Sequence, residues 1–194
     1  MSKVMNRQNY RPWQFEVLQQ CWLIIATFVT IPSAIAAPLE VTMQGTVLGT
    51  PCKIRAGDEA LTVDLGTVVD KYLYINTRTP GKPFYLHLDD CDTTRASAVR
   101  LTFNGKENSS LPGLLAVNAG SGASGIAVGI ETGGASSTPL PLNVRGPENL
   151  LSTTSRTTIL SFKAYVQAEP QALASKTIGL GAFSASATFL LDYQ

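Results

Sequence analysis

Residues 181–193 read GAFSASATFLLDY and alternate between apolar and polar side chains. The apolar positions that follow Gly181 are Phe183, Ala185, Ala187, Phe189, Leu191 and Tyr193, and only Leu190 interrupts the polar side. Successive side chains of a β-strand point to opposite faces, so this pattern predicts a strand with one buried face. The predicted strand is about twice the usual length and ends just before the C-terminal residue.

The N-terminus has the organisation of a secretory signal peptide. Basic residues are followed by an apolar segment, residues 21–31, and by Ala34-Ile35-Ala36, which matches a signal-peptidase cleavage site. The apolar segment is too short to cross a bilayer, which takes about 20 residues. We therefore expect residues 1–36 to be removed and the mature chain to begin at Ala37.

A second alternating segment follows this cleavage site at residues 40–47. Its apolar face holds Val41, Met43, Gly45 and Val47. A strand at a free N-terminus exposes both an apolar face and an unpaired edge. We therefore expect it to pair, either within its own domain or with another molecule.

Shorter apolar or alternating runs recur through the rest of the chain, separated by glycine- and proline-containing turns. These runs are residues 61–65, 84–88, 99–103, 114–117, 126–130 and 159–166. One short helix-like stretch lies at residues 170–176. No repeat or linker divides the mature chain, so the pattern predicts one all-β sandwich of seven or eight strands.

The mature chain keeps two cysteines, Cys52 and Cys91. A secreted protein with two cysteines most simply forms one disulfide, because the compartment is oxidising. Two unpaired thiols are the alternative.

The composition argues against binding nucleic acid and against catalysis. Charged residues make up 15% of the chain and the formal net charge is +1, so no basic surface is expected. The single histidine, His87, lies between two leucines and is interpreted as a surface strand residue. Asp89, Asp90 and Asp92 are interpreted as a solvated strand end, and the glycine-rich residues 120–134 as a hairpin or surface loop. No small-molecule substrate, metal or cofactor is expected.

Taken together, these features resemble the pilins of chaperone–usher pili, especially minor and adaptor subunits of P-type and type 1 fimbriae. The resemblance rests on the N-terminal extension with Gly45 in its middle and on Pro51-Cys52 with a second cysteine at Cys91. It rests also on the residues from Gly181 to Tyr193 and on Leu111-Pro112-Gly113.

This resemblance implies an incomplete immunoglobulin-like sandwich that lacks its last strand, with an N-terminal donor-strand extension. Residues 37–48 would be that extension, and residues 49–194 the pilin domain. Val41, Met43, Gly45 and Val47 would insert into a neighbour. The residues of the apolar C-terminal face, together with Gly181, would line the groove that receives a strand.

The resemblance also implies the partners and the location of the protein. The groove would be filled first by a periplasmic pilus chaperone and then, at an outer-membrane usher, by the extension of the neighbouring pilin subunit. The chain would thus be a non-enzymatic minor pilin or tip adaptor, exported through the periplasm to a fimbria at the cell surface, where it supports adhesion. The alternative functions are a single-domain fimbrial adhesin, another receptor-binding secreted β-domain, and, less favoured, a small secreted enzyme.

Overall fold

Two antiparallel β-sheets pack face to face in the computed structural model, which describes residues 49–194. The strands are β1 (Lys53–Ile54), β2 (Lys82–Asp89), β3 (Ala98–Gly105), β4 (Glu107–Asn108), β5 (Leu111–Ala116), β6 (Ile126–Thr132), β7 (Glu148–Leu150), β8 (Thr158–Ala168) and β9 (Ala187–Tyr193). The helices are a 3₁₀ turn (Asp58–Ala60), α1 (Asp70–Asn76) and α2 (Pro170–Ser175). Within this range, no helix is long and apolar enough to cross a membrane.

The larger sheet has the strand order β1-β2-β8-β6-β5-β4, and the smaller has the order β7-β3-β9. Every pairing between neighbouring strands is antiparallel. The last strand of the chain, β9, therefore lies at an edge of the smaller sheet.

Three phenylalanines at the centre of the core join the two sheets. Phe84 and Phe162 come from the larger sheet, and Phe103 comes from the smaller one. Their ring centroids lie 5.3 to 6.3 Å apart, which is the usual range for favourable aromatic pairs. A second, smaller apolar cluster includes Leu73 of α1 and Val166 of β8.

Most of the alternating runs are strands in the structure. Residues 84–88, 99–103, 126–130 and 159–166 lie within β2, β3, β6 and β8, and residues 114–117 overlap β5. The helix-like stretch is α2, which begins with a proline at its first position, where no backbone donor is needed.

Two local predictions are wrong. Residues 61–65 lie in no β-strand, because alternating side chains indicate a half-buried face but do not supply a backbone partner. Residues 120–134 are not all loop, because 126–132 form the buried strand β6. The small residues of β6 have a packing role: a Cβ at Gly129 would collide with the ring of Tyr165, its partner on β8.

A buried amide fastens β4 to the start of α2. The Asn108 side chain is 8% exposed, and its Nδ2 donates a hydrogen bond to Glu169 at 2.7 Å. Its Oδ1 accepts the backbone N–H groups of Ser110 and Leu111 at 2.8 and 3.0 Å. Every polar atom of this side chain therefore has a partner, as burial requires.

The predicted signal peptide and the predicted donor extension lie outside the described residues. This applies to residues 1–36, to residues 37–48, and to Val41, Met43, Gly45 and Val47.

Candidate functional site

Among the residues that the structure describes, strand β9 is paired along one side only. It pairs with β3 from Ala187 opposite Gly105 to Tyr193 opposite Val99. Its other edge has no strand partner among residues 49–194. An unpaired edge with a row of free N–H and C=O groups is a template for another strand.

The inward side chains along this edge are only half buried. Phe183, Ala185, Phe189, Leu191 and Tyr193 pack against the main core yet stay partly exposed, and Ala187 is exposed. The side chains that point outward are exposed, and Leu190 is among them at 59%. The apolar face predicted from the sequence thus borders the core without being covered.

The start of the predicted C-terminal strand differs from the sequence-based expectation. The strand begins at Ala187, and residues 183–186 lie ahead of it. There, Asn118 donates its backbone N–H to Ser184 O at 2.7 Å. At Gly181 the chain passes so close to Gly122 that a Cβ would lie 2.7 Å from the Gly122 carbonyl carbon. Glycine is required here because two backbones touch.

The segment at residues 61–69 borders the same part of the core. Val63, Leu65 and Val68 are half buried, and Leu65 and Phe183 each pack against both apolar clusters. In the described part of the chain, the backbone of residues 61–68 pairs with no strand. We call the apolar surface between residues 61–69 and residues 183–193 the groove.

Two features of the groove would be complemented by one further strand. Among residues 49–194, no strand pairs with either of its backbone edges, and its apolar side chains are only half buried. An extended segment with apolar residues at alternate positions would pair with the edges and bury the side chains. The geometry is thus suited to binding a β-strand.

A disulfide closes the end of the sandwich near the C-terminus of β9. Cys52 and Cys91 are bonded, with their Cα atoms 4.1 Å apart, and both are buried. At the same end, the backbone N–H of Ser97 donates to Gln194 O at 2.7 Å. We call this end the disulfide pole.

The carboxylates that flank Cys91 are engaged by neighbouring side chains. Lys53 Nζ donates to Asp90 at 2.9 Å, and Arg55 donates to Asp89. Asp92 accepts hydrogen bonds from the backbone and hydroxyl of Thr94. Because these carboxylates face separate partners, they form no cation site, and no metal-binding cluster occurs within residues 49–194.

His87 lies on β2 but holds a loop in place. Its Nδ1 is 2.8 Å from Asp58 Oδ2, and its backbone N–H donates to the same oxygen at 2.7 Å. The backbone hydrogen bond is the main cause that lowers the pKa of Asp58. Asp58 opens the 3₁₀ turn just before the groove-lining segment, so this contact anchors one wall of the groove. No sequence signal marked this pairing, because 29 residues separate the two.

A separate cleft of about 270 Å³ lies between the sheets at the edge that carries β7. Its lining includes Leu101, Phe162, Thr132 and Asn149, and no lining residue carries a charge. It therefore lacks the ionisable groups that acid–base chemistry needs.

Comparison with known proteins agrees with this arrangement. The family model described as "Fimbrial protein" matches residues 41–194. The chain is 32% identical to "Fimbrial adapter PapK" of Escherichia coli over 170 residues, which cover 86% of this chain and 94% of that one. It is 31% identical to "Fimbria A protein" of Serratia marcescens over 155 residues, which cover 80% and 84% of the two chains.

Solved structures share the fold. The P pilus rod subunit PapA superposes with a TM-score of 0.62 at 23% identity, over 75% of this chain and all of that one. A chaperone–usher pilus structure superposes with a TM-score of 0.63 at 24% identity, over 84% of this chain and all of that one. These matches confirm the predicted all-β, immunoglobulin-like fold. The match of the family model over most of the sequence, together with the 32% identity to the fimbrial adapter, establishes that this chain belongs to the fimbrial protein family, whose members are subunits of surface pili.

Proposed function

We propose that this fimbrial subunit is polymerised by donor-strand exchange in a chaperone–usher fimbria, as a minor pilin or tip adaptor that supports adhesion. The observation that carries the proposal is the groove. The exposed edge of β9 and residues 61–68, neither of which has a strand partner on this side among residues 49–194, flank a half-buried apolar surface. A folded domain that keeps such a surface open is built to receive a strand from outside.

The donor in this scheme is the segment that precedes the described residues. Residues 37–48 alternate, with Val41, Met43 and Val47 on one face and Gly45 among them. Inserted into the groove of the preceding subunit, the backbone would extend the sheet while the alternate side chains filled the groove. One chain thereby offers both a groove and a donor strand, which is the head-to-tail arrangement that propagates a filament.

The groove and the donor segment also account for how the subunit would be exported and assembled into the fibre. The predicted signal peptide directs the chain to the periplasm, where the oxidising environment favours the Cys52–Cys91 bond. A periplasmic chaperone supplies a temporary strand to the groove, and the outer-membrane usher exchanges that strand for the next subunit's extension. Similarity to a protein named as a fimbrial adapter supports a place between unlike subunits.

Expression of three forms tests this proposal. The mature chain alone should aggregate or be degraded, and co-expression with a pilus chaperone should yield a soluble complex. The mature chain with a donor strand fused after Gln194 through a short linker should be a monomer with a markedly higher Tm. A control fusion carries serine at the alternate apolar positions of the added strand and should behave like the chain alone. Purification of the unmodified chain as a stable monomer would contradict the proposal.

A further inference from the structure

One end of the sandwich exposes several large apolar side chains. Val69, Tyr72 and Ile75 recur every three residues along α1 and its N-terminal cap, with 53%, 42% and 82% of their surface exposed. Leu180 is 74% exposed and belongs to the same end, because the backbone N–H of Ile178 donates to Tyr74 Oη at 3.2 Å. We call these four residues the apolar pole. Clustered exposed apolar residues mark an interaction site more often than single ones do.

The apolar pole lies at one end of the groove. Val69 ends the groove-lining segment 61–69, and Leu180 precedes Gly181 and the other wall. Phe183, Val68 and Leu73 of α1 share the small apolar cluster beneath this end. The disulfide pole lies at the opposite end of the groove, beside Tyr193 and Gln194.

The direction of an inserted strand determines which end faces the next subunit. Every pairing in the smaller sheet is antiparallel, so a strand added to β9 in the same manner runs from the Tyr193 end towards the Phe183 end. Its C-terminal end then leaves the groove at the apolar pole. The rest of the donating subunit must follow from there.

The connection between the donor strand and its own domain is short. Residues 48–51 reach about 14 Å at most before Cys52 enters the disulfide pole. Gly49, within this connection, is held against the domain, because Arg95 Nη2 donates a hydrogen bond to Gly49 O at 2.8 Å. The donating subunit is thus held with its disulfide pole close to the groove's exit.

We propose that the apolar pole is the surface against which the next fimbrial subunit seats its disulfide pole. This inference rests on the proposed donor-strand exchange. The occupant is a second fimbrial subunit, since the contact is continuous with the groove and the short connection leaves little room for anything else. Seating buries Ile75 and Leu180 and fixes the orientation of successive subunits relative to each other.

Site-specific cross-linking in assembled fimbriae tests the contact. A photo-reactive amino acid replaces Ile75 in the full chain, and a matched control replaces Ile159, which is 55% exposed on β8. We expect position 75 to cross-link to another fimbrial subunit at the residues around its first cysteine, and position 159 not to do so. Fibres that contain the labelled chain without this cross-link, or with equal yields at both positions, would overturn the inference. Failure of the wild-type chain to enter fibres would instead count against the proposed function.

A substitution in the apolar pole tests whether the pole contributes to subunit attachment independently of the groove. The Ile75→Glu variant, bound to a pilus chaperone, is offered either a synthetic peptide of the N-terminal extension of the subunit that follows it in the fimbria, or that whole subunit in complex with the chaperone. The peptide should be taken up at the wild-type rate, whereas attachment of the whole subunit should weaken roughly tenfold or more, as loss of a buried isoleucine predicts. Equal attachment of the whole subunit, or a matching loss of peptide uptake, would reject the pole as a separate contact. A wild-type chain that takes up neither probe would reject donor-strand exchange.

Discussion

Arg55 and Asp89 are joined by two parallel hydrogen bonds. The Nε and Nη2 atoms of the guanidinium each donate to one carboxylate oxygen at 2.9 Å. Thr157 adds a third hydrogen bond at 2.9 Å from its hydroxyl. These bonds tie the segment after β1 to the end of β2 and to the loop before β8. The hydrogen bonds from Arg55 and then from Thr157 lower the pKa of Asp89 from 3.8 to about 2.

This lowered pKa predicts a pH dependence of stability. A carboxyl whose pKa falls on folding contributes its stability fully above the unfolded value and loses it as the pH falls through the folded value. In the donor-strand fusion, Asp89→Asn should lower the Tm at pH 7. The gap between variant and wild type should then close as the pH falls from about 4 to about 2. Thermal melts across this range check the prediction, and a gap that is as wide at pH 2 as at pH 7 would contradict it.

The contact between Gly129 and Tyr165 predicts a non-additive pair of substitutions. Gly129→Ala places a methyl group against the Tyr165 ring, and overpacking of this kind costs about 1 to 3 kcal/mol. Because Tyr165→Ala removes the obstacle, the double variant should lose less stability than the sum of the two single variants. Urea unfolding of the donor-strand fusion measures this. Gly134→Ala is the control and should be nearly silent, because no atom lies within 4 Å of its added Cβ. If the losses of unfolding free energy in the two single variants simply add in the double variant, the Tyr165 ring must move aside to accommodate the methyl group.

Adjacent leucines on β9 distinguish the groove from the outer face. Leu191 points inward and is half buried, whereas Leu190 points outward and is 59% exposed. Leu191→Ser should weaken donor-peptide uptake by the chaperone-bound subunit by roughly ten- to a hundredfold, which corresponds to loss of a leucine's burial. Leu190→Ser should change uptake little. Competition gels with a labelled peptide compare the two variants, and equal losses would argue against the groove as the binding surface.

Gly45 tests the donor strand itself. In the proposed donor strand it would share the inward face with Val41 and Met43, and a glycine inside a strand often marks close approach of another backbone. Gly45→Leu should leave chaperone binding intact but prevent joining to the preceding subunit, because the added side chain overpacks the receiving groove. Thr46→Leu, on the outward face, should assemble normally. A strand-exchange gel measures both, and normal assembly of Gly45→Leu would favour pairing of this segment within its own domain.

The alternation of apolar and polar residues predicted which side chains are buried more reliably than it predicted which backbone segments pair as β-strands. It located β2, β3 and β8, where one face is buried and both backbone edges are paired. The same pattern at residues 61–65 and 183–186 also corresponds to half-buried side chains, yet neither segment is a strand. The difference lies in the backbone partner, which side-chain patterns do not encode.

The elements missing from the sequence-based prediction depend on tertiary context. Helix α1 has seven residues and begins after Val69, which makes no side-chain cap, so no start signal precedes it. Leu73 holds it in place by burying its side chain in the small cluster. Strand β7 has three residues, too few for a period to be seen. The apolar pole was not predicted either, because it is formed by α1 together with Leu180, which lies far from α1 in the sequence.

The buried amide of Asn108 has a consequence for producing this protein. Asn108-Ser109-Ser110 fits the acceptor pattern for N-glycosylation. In the folded chain its nitrogen is bonded to Glu169 and shielded from solvent, so only a chain still unfolded presents it for modification. A eukaryotic secretory host would therefore attach a sugar before folding, and the bulky group would hold β4 away from α2. Bacterial expression avoids this damage, and Ser110→Ala removes the acceptor pattern while leaving the Asn108–Glu169 bond in place.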